Sequence, residues 1–191
     1  MPLPSVFSLL PGRGRGLAVA LVLVAAACLL VACAGADVVD ARAASGASAP
    51  LAFIVVRHAE KVDDSRDPAL SATGEVRARA LAVQLRDTPL VAAWTSPFAR
   101  TRQTALATAQ AHGLQPREYD AALPAPQLAA MLRDAHRHGT VLVVGHSNTV
   151  PAIVAALCDC QVDPIDDATY GGRYDIDHDA DGRPRLRTGS F

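Results

Sequence analysis

Two short apolar runs constrain this chain more than anything else in it. Phe53-Ile54-Val55-Val56 leads into Arg57-His58, and Val141-Leu142-Val143-Val144 leads into Gly145-His146. Each run has the length of a buried strand and is rich in β-branched residues, and a histidine stands where it stops. Runs with no polar alternation belong to strands covered on both faces, as in a parallel sheet. In open α/β sheets, ligands bind beyond the carboxyl ends of such strands. The two histidines and the arginine are therefore predicted to share one sheet edge.

The rest of the chain alternates in the same way. Leu51–Arg57 reads as the first strand, and a helix follows from about Gly74 to Arg86 with Val76, Ala80 and Val83 on one stripe. Pro89–Thr95 is a second strand and Phe98–Ala111 a helix, with Pro97 tolerated at its start and Gly113 just past its end. Arg117–Tyr119 is a short strand. Leu128, Met131, Leu132 and Ala135 set the face of a helix that begins near Pro126 and ends at Gly139. Val150, Ile153, Val154 and Leu157 mark another helix. Residues 168–178 and 183–190 read as strands of a hairpin around Asp179-Ala180-Asp181-Gly182. The predicted fold is a three-layer α/β/α sandwich with a mostly parallel central sheet and a C-terminal β-hairpin.

The N-terminus is of another kind. Residues 17–32 are continuously apolar, Arg13 and Arg15 precede them, and no acid occurs before Asp37. A basic segment followed by a short apolar one reads as an export signal. The run closes on Leu30-Val31-Ala32-Cys33, which resembles a bacterial lipobox and makes Cys33 the expected lipidation site. Cleavage after Ala34-Gly35-Ala36 and a retained anchor helix are the competing readings. Residues 1–32 read as a lipoprotein signal peptide, residues 33–50 as a flexible tether and residues 51–191 as the folded domain. The expected location is the cell envelope, on the periplasmic side of a membrane, with the lipid anchor as the membrane contact. Loss of residues 1–32 removes two of the 18 basic residues and none of the 19 acidic ones. The resulting acidic excess argues against a nucleic-acid partner.

The chemistry predicted at the sheet edge is that of an anion site. Arg57 offers a planar fork of donors to phosphoryl oxygens. His58, beside it, is a candidate covalent nucleophile, and His146 adds a donor or a positive charge. Arg100 falls in the first turn of the helix after Ser96-Pro97, where free N–H groups and the helix dipole favour an anion. Arg102 faces elsewhere and reads as solvated. Ser147 and Asn148 either hydrogen-bond near the phosphate or cap the helix that follows. For each of these residues a purely structural role is the alternative.

Arg57-His58, Arg100 and Gly145-His146, in that order and each after a strand, resemble the motifs of the histidine phosphatase superfamily, which contains phosphoglycerate mutases and many small phosphatases. The resemblance spans roughly residues 51–175. It implies a phosphomonoester hydrolase in which His58 is phosphorylated while Arg57, Arg100 and His146 hold the phosphate. It also implies a small phosphorylated substrate and no metal or other cofactor. Ala59 stands where the family's Arg-His motif commonly continues with glycine. The family's carboxylate acid has three candidates here, Asp120, Glu60 and Glu118. A non-catalytic phosphoester-binding module on the same fold is the alternative function.

Two further patterns are weaker. Asp177-His178-Asp179-Ala180-Asp181-Gly182 opens like a calcium loop, but Thr188 stands where the bidentate glutamate belongs. A hairpin turn is the expectation. Cys158 and Cys160 read as two structural thiols at a helix end, with a bridge between them as the alternative in an oxidising compartment.

Overall fold

The computed structural model of the protein describes residues 49–191. The predicted signal peptide, nearly all of the tether, Cys28 and Cys33 lie outside the described residues. Strand β1 (Ala52–Arg57) leads through a long loop to helix α1 (Ala72–Leu85). Then come β2 (Leu90–Thr95), α2 (Ala99–Ala111), β3 (Arg117–Glu118) and α3 (Ala125–Ala135). The chain continues through β4 (Thr140–Gly145) and α4 (Val150–Cys158) to the β5 (Gly172–His178) and β6 (Pro184–Ser190) hairpin.

The strands form one sheet in the order β3-β2-β4-β1-β5-β6. β4 pairs in parallel with both β1 and β2, β2 pairs in parallel with β3, and the hairpin strands are antiparallel. Register decides where the histidines go. Arg57 lies opposite Gly145, and Thr95 opposite Val144. The three inner strands therefore end level, and His58, His146 and Ser96 emerge at the same edge.

Side chains of a strand alternate between the two faces of its sheet, and that alternation builds two cores. Phe53, Val55, Val141 and Val143 pack with Leu128 and Leu132 of α3 and with Ile153 and Leu157 of α4. Ile54, Val56, Leu142 and Val144 face Leu81 and Leu85 of α1 and Ala105 and Ala109 of α2. A strand buried on both faces needs an apolar residue at every position. β4, buried along its whole length, shows this most fully.

Three expectations about elements need correction. The buried stripe of α1 is Gly74, Ala78, Leu81 and Leu85, while Val76 and Val83 are exposed. Small residues let this helix lie close to the sheet edge, a fit that hydropathy does not report. Helix α3 ends at Ala135 rather than continuing to Gly139. His136 is already extended, and its Nε2 accepts the indole N–H of Trp94 at 3.0 Å. The strand predicted from residue 168 begins at Gly172, because residues 166–169 turn over Arg57 and give it two carbonyl oxygens.

Cys158 and Cys160 form a disulfide at the end of α4. The carboxylate of Asp179 accepts the N–H groups of Asp181 and Arg183, both at 2.9 Å. The acidic loop is a hairpin turn held by its own backbone.

Candidate active site

The edge where β1, β2 and β4 end opens into a cavity of about 750 Å³ lined by Arg57, His58, Arg100 and His146. The rings of His58 and His146 are 5.3 Å apart. Ser147, Asn148 and Lys61 also line the cavity. Ser147 donates to the exposed carboxylate of Asp167, and Lys61 pairs with Asp64. Thr149 takes the turn after β4, and its Oγ1 accepts the N–H of His146 at 2.9 Å.

His58 is buried and oriented by backbone. Its Nδ1 lies 2.8 Å from the carbonyl oxygen of Ala59. A carbonyl only accepts, so Nδ1 carries the proton and Nε2 keeps the lone pair. Burial, opposed by that hydrogen bond and reinforced by the charges of Arg100, Arg57 and Lys61, lowers the pKa of His58 to about 4. The ring is neutral at pH 7, the form in which imidazole is a nucleophile. The next residue is fixed as well. Ala59 gives its N–H to Thr104 Oγ1 at 3.0 Å, and that hydroxyl donates to the carbonyl of Arg100. One threonine thus ties the histidine's loop to the helix carrying the second arginine.

His146 is lowered to about 4 too, first by burial and then by Arg100, His58 and Arg57. Its Nε2 is 2.8 Å from Ser96 Oγ, and its Nδ1 is 3.4 Å from Arg100 Nη2. Arg100 rests over the ring of Phe98, 4.4 Å from its centroid, and Phe98 meets His146 edge-on. Asp67 lies 3.8 Å from Arg100 and also accepts the first N–H of α2, at Ala99.

Arg57 is 5% exposed. Its Nη1 donates to the carbonyls of Asp166 (3.1 Å) and Thr169 (2.7 Å), and its guanidinium stacks on Tyr170, 4.1 Å from the ring centroid. Arg57 Nε and Arg100 Nη1 are buried with no hydrogen-bond partner among the described residues. Buried donors ordinarily find acceptors. Two guanidinium groups lining one cavity suit an oxyanion.

The carboxylates behave differently. Glu60 turns away from the cavity and takes Arg77 Nε on both oxygens at 2.9 Å and Nη2 at 2.6 Å. The hydrogen bonds from Arg77, ahead of the opposing effect of burial, hold its carboxyl below the usual range. Asp120 is exposed and accepts the N–H of Ala122, and its neighbour Ala121 reaches the cavity lining. Glu118 pairs with Arg102, which also donates to the carbonyl of Pro97. Among the described residues, Asp64 and Asp167 are the carboxylates that line the cavity. Ser96, Phe98, Asp67, Thr104 and Tyr170 are site residues that sequence reasoning did not single out.

Fold and site together define an α/β protein with a doubly cationic cavity at the ends of parallel strands. The family model described as histidine phosphatase superfamily, branch 1, matches residues 53–123. Among solved structures, the protein histidine phosphatase SixA complexed with tungstate superposes with a TM-score of 0.58 at 20% identity, over 73% of this chain and 96% of that one. A mycobacterial glucosyl-3-phosphoglycerate phosphatase gives 0.56 at 16% identity, over 73% and 97%. Phosphoserine phosphatase from Entamoeba histolytica, in complex with 3-phosphoglyceric acid, gives 0.54 at 15% identity, over 74% and 98%. No curated protein matches the chain in sequence. The chain is similar to the histidine phosphatase superfamily over residues 53–123, and it shares the fold of these phosphatases.

Proposed function

We propose that the protein hydrolyses phosphomonoesters through a phosphohistidine at His58, and that it does so outside the cytoplasm, anchored by lipid at Cys33. The observation that carries the catalytic part is the pairing of a neutral, oriented His58 with two guanidinium groups, those of Arg57 and Arg100, at the lining of one cavity.

In the first step His58 Nε2 forms a bond to phosphorus as the bond to the leaving oxygen breaks. Arg57 and Arg100 hold the equatorial oxygens, where charge is spread in phosphoryl transfer. Water then cleaves the N–P bond, releasing inorganic phosphate and restoring the imidazole. Fixed positive charge at those oxygens is worth most in a site closed to water.

The leaving group sets the finer reading. Glu60 is kept ionised by Arg77 and has no proton to give, and Asp120 and Glu118 are occupied or exposed. Substrates whose leaving group needs little protonation, such as aryl phosphates and phosphorylated imidazoles, fit this site best. The likeness to a protein histidine phosphatase supports the same class. Export rests on the basic and then apolar N-terminus and on the Leu30-Val31-Ala32-Cys33 run. The Cys158–Cys160 disulfide is in keeping with an oxidising compartment.

Hydrolysis of an aryl phosphate and of a phosphohistidine peptide by the full chain tests the proposal, with His58→Ala as control. Turnover should fall to background in the variant. An acid-labile, base-stable phosphoenzyme should form only with His58 present. Saturable phosphate binding without turnover of any monoester would instead establish the binding-module reading.

A further inference from the structure

The proton positions around His146 follow from counting donors. Thr101 Oγ1 lies 2.8 Å from the carbonyl of Phe98 and 2.9 Å from that of Ser96. Both carbonyls only accept, so the single hydroxyl proton of Thr101 goes to them. Ser96 Oγ sits 3.0 Å from Thr101 Oγ1, a contact that needs a proton between the oxygens. That proton is therefore the one on Ser96. Ser96 is left with lone pairs only towards His146 Nε2, 2.8 Å away, and the ring must bring the hydrogen. Ser96 and Thr101 are both fully buried, so bulk water does not compete.

The other side of the ring points the same way. Arg100 Nη2 lies 3.4 Å from Nδ1, and a guanidinium has donors but no acceptor. At 3.4 Å this contact favours a lone pair on Nδ1 but is too long to set the tautomer without the hydroxyl pair.

We propose that Ser96 and Thr101 are positioning residues that fix the tautomer of His146, with its proton on Nε2 and the lone pair of Nδ1 facing Arg100. The hydroxyl pair thereby determines which nitrogen of His146 works. Where the site takes a phosphoester, a consequence that rests on the function proposed above, Nδ1 can accept a hydrogen bond from the O–H of a singly protonated substrate. The Nε2–H bond to Ser96 persists. The threonine acts on His146 only through the serine.

Nitrogen NMR of the full chain, 15N-labelled at histidine and held near pH 7, reads the tautomer without any turnover. The His146 signals are identified by their loss in His146→Asn. In the wild type, Nε2 should appear as the protonated nitrogen and Nδ1 as the unprotonated one. Thr101→Val keeps the side chain's shape but removes Ser96's acceptor. Ser96 then turns its proton to Nε2, and the pattern should invert. Thr101→Ser retains the hydroxyl and should retain the wild-type pattern. Ser96→Ala should give an averaged spectrum.

A protonated Nδ1 in the wild type would overturn the assignment, as would an unchanged spectrum in both Thr101→Val and Ser96→Ala. If Thr101→Val does not fold, the wild-type and Ser96→Ala spectra decide alone. Absence of hydrolysis by the wild type would remove the phosphatase reading and leave the tautomer result standing.

Discussion

The phenol ring of Tyr170 lies under the guanidinium of Arg57, 4.1 Å from its central carbon, while carbonyls two segments away pin the same group by Nη1. The arginine is thus held from below and from one edge at the lining of the cavity. The residues that do this come from the loop between α4 and β5, more than a hundred positions after Arg57.

The ring, rather than mere bulk, is the working part of Tyr170. A desolvated cation–π contact is worth about 1–2 kcal/mol, or roughly 5- to 30-fold. Tyr170→Phe should keep KM for an aryl phosphate close to wild type. Tyr170→Leu, of similar reach but without the ring's charge distribution, should raise KM by that factor and lower kcat less. Steady-state kinetics on the two variants checks this, and equal KM values for Leu and Phe would refute it.

The two histidines carry a clear pH signature. Burial lowers both pKa values to about 4, against 6.5 for the unfolded side chains. Between those values the unfolded chain binds more protons than the native one, so protonation favours unfolding. The stabilising contribution is complete above pH 6.5, declines as pH falls and is gone below about pH 4, where both states are protonated. Being 5.3 Å apart, the rings titrate as a coupled pair. Imidazole C–H resonances of these two rings followed by NMR should show two transitions near pH 4. A midpoint near 6.5 for either ring would contradict the burial argument.

The sequence made the inner sheet legible because β1 and β4 are buried on both faces, and such strands announce themselves as unbroken apolar runs. Arg57, His58, Arg100 and His146 were legible for a related reason. Arg57 ends β1, His58 and His146 follow their strands directly and Arg100 lies in the first turn of the helix after β2, and level strand ends bring such positions together. Tyr170 had no such signal. It lies in an irregular loop, and its contact with Arg57 exists only once the loop has folded back. The α1 stripe was misread because its buried face is built from Gly74 and Ala78, which hydropathy weights lightly, while two valines face solvent. The Ser96–Thr101 pair was hidden for yet another reason, since hydroxyl networks depend on ångström-scale geometry rather than on composition.

Glu60 stands two residues after His58, and its carboxylate is taken up by Arg77. Its carboxylate spans Arg77, and Arg77 also donates to the carbonyl of Phe191 at 2.8 Å, tying the C-terminal residue to the loop after β1. Glu60→Gln should lower thermal stability, by about 1–3 kcal/mol for a charged hydrogen bond lost in a half-buried pair. It should slow hydrolysis of a phenyl phosphate and of an alkyl phosphate by the same factor. Loss of a general acid would fall mainly on the alkyl ester, whose leaving oxygen needs the proton. A selective loss on the alkyl ester would return Glu60 to the acid role. The ratio of the two rates decides the matter even if overall activity drops.

Gly74 allows this arrangement. A Cβ built on it would stand 2.2 Å from the carbonyl oxygen of Glu60, a backbone atom that cannot swing aside. The same carbonyl accepts the N–H of Ser71, whose side chain caps α1 through the N–H of Gly74 at 3.1 Å. Gly74→Ala forces α1 and the loop after β1 apart. Overpacking costs about 1–3 kcal/mol, and a clash with fixed backbone falls at the upper end, which outweighs the helix-propensity gain of about 1 kcal/mol from replacing glycine by alanine. The variant should therefore melt lower than wild type. Because Ala59, next to Glu60, anchors to Thr104, its activity should also fall at temperatures where it remains folded. Thr73→Ala, at an exposed position one residue earlier, controls for helix propensity and should not lower the melting temperature. A Gly74→Ala variant as stable as wild type would mean that the close approach of α1 to Glu60 is not needed for the fold.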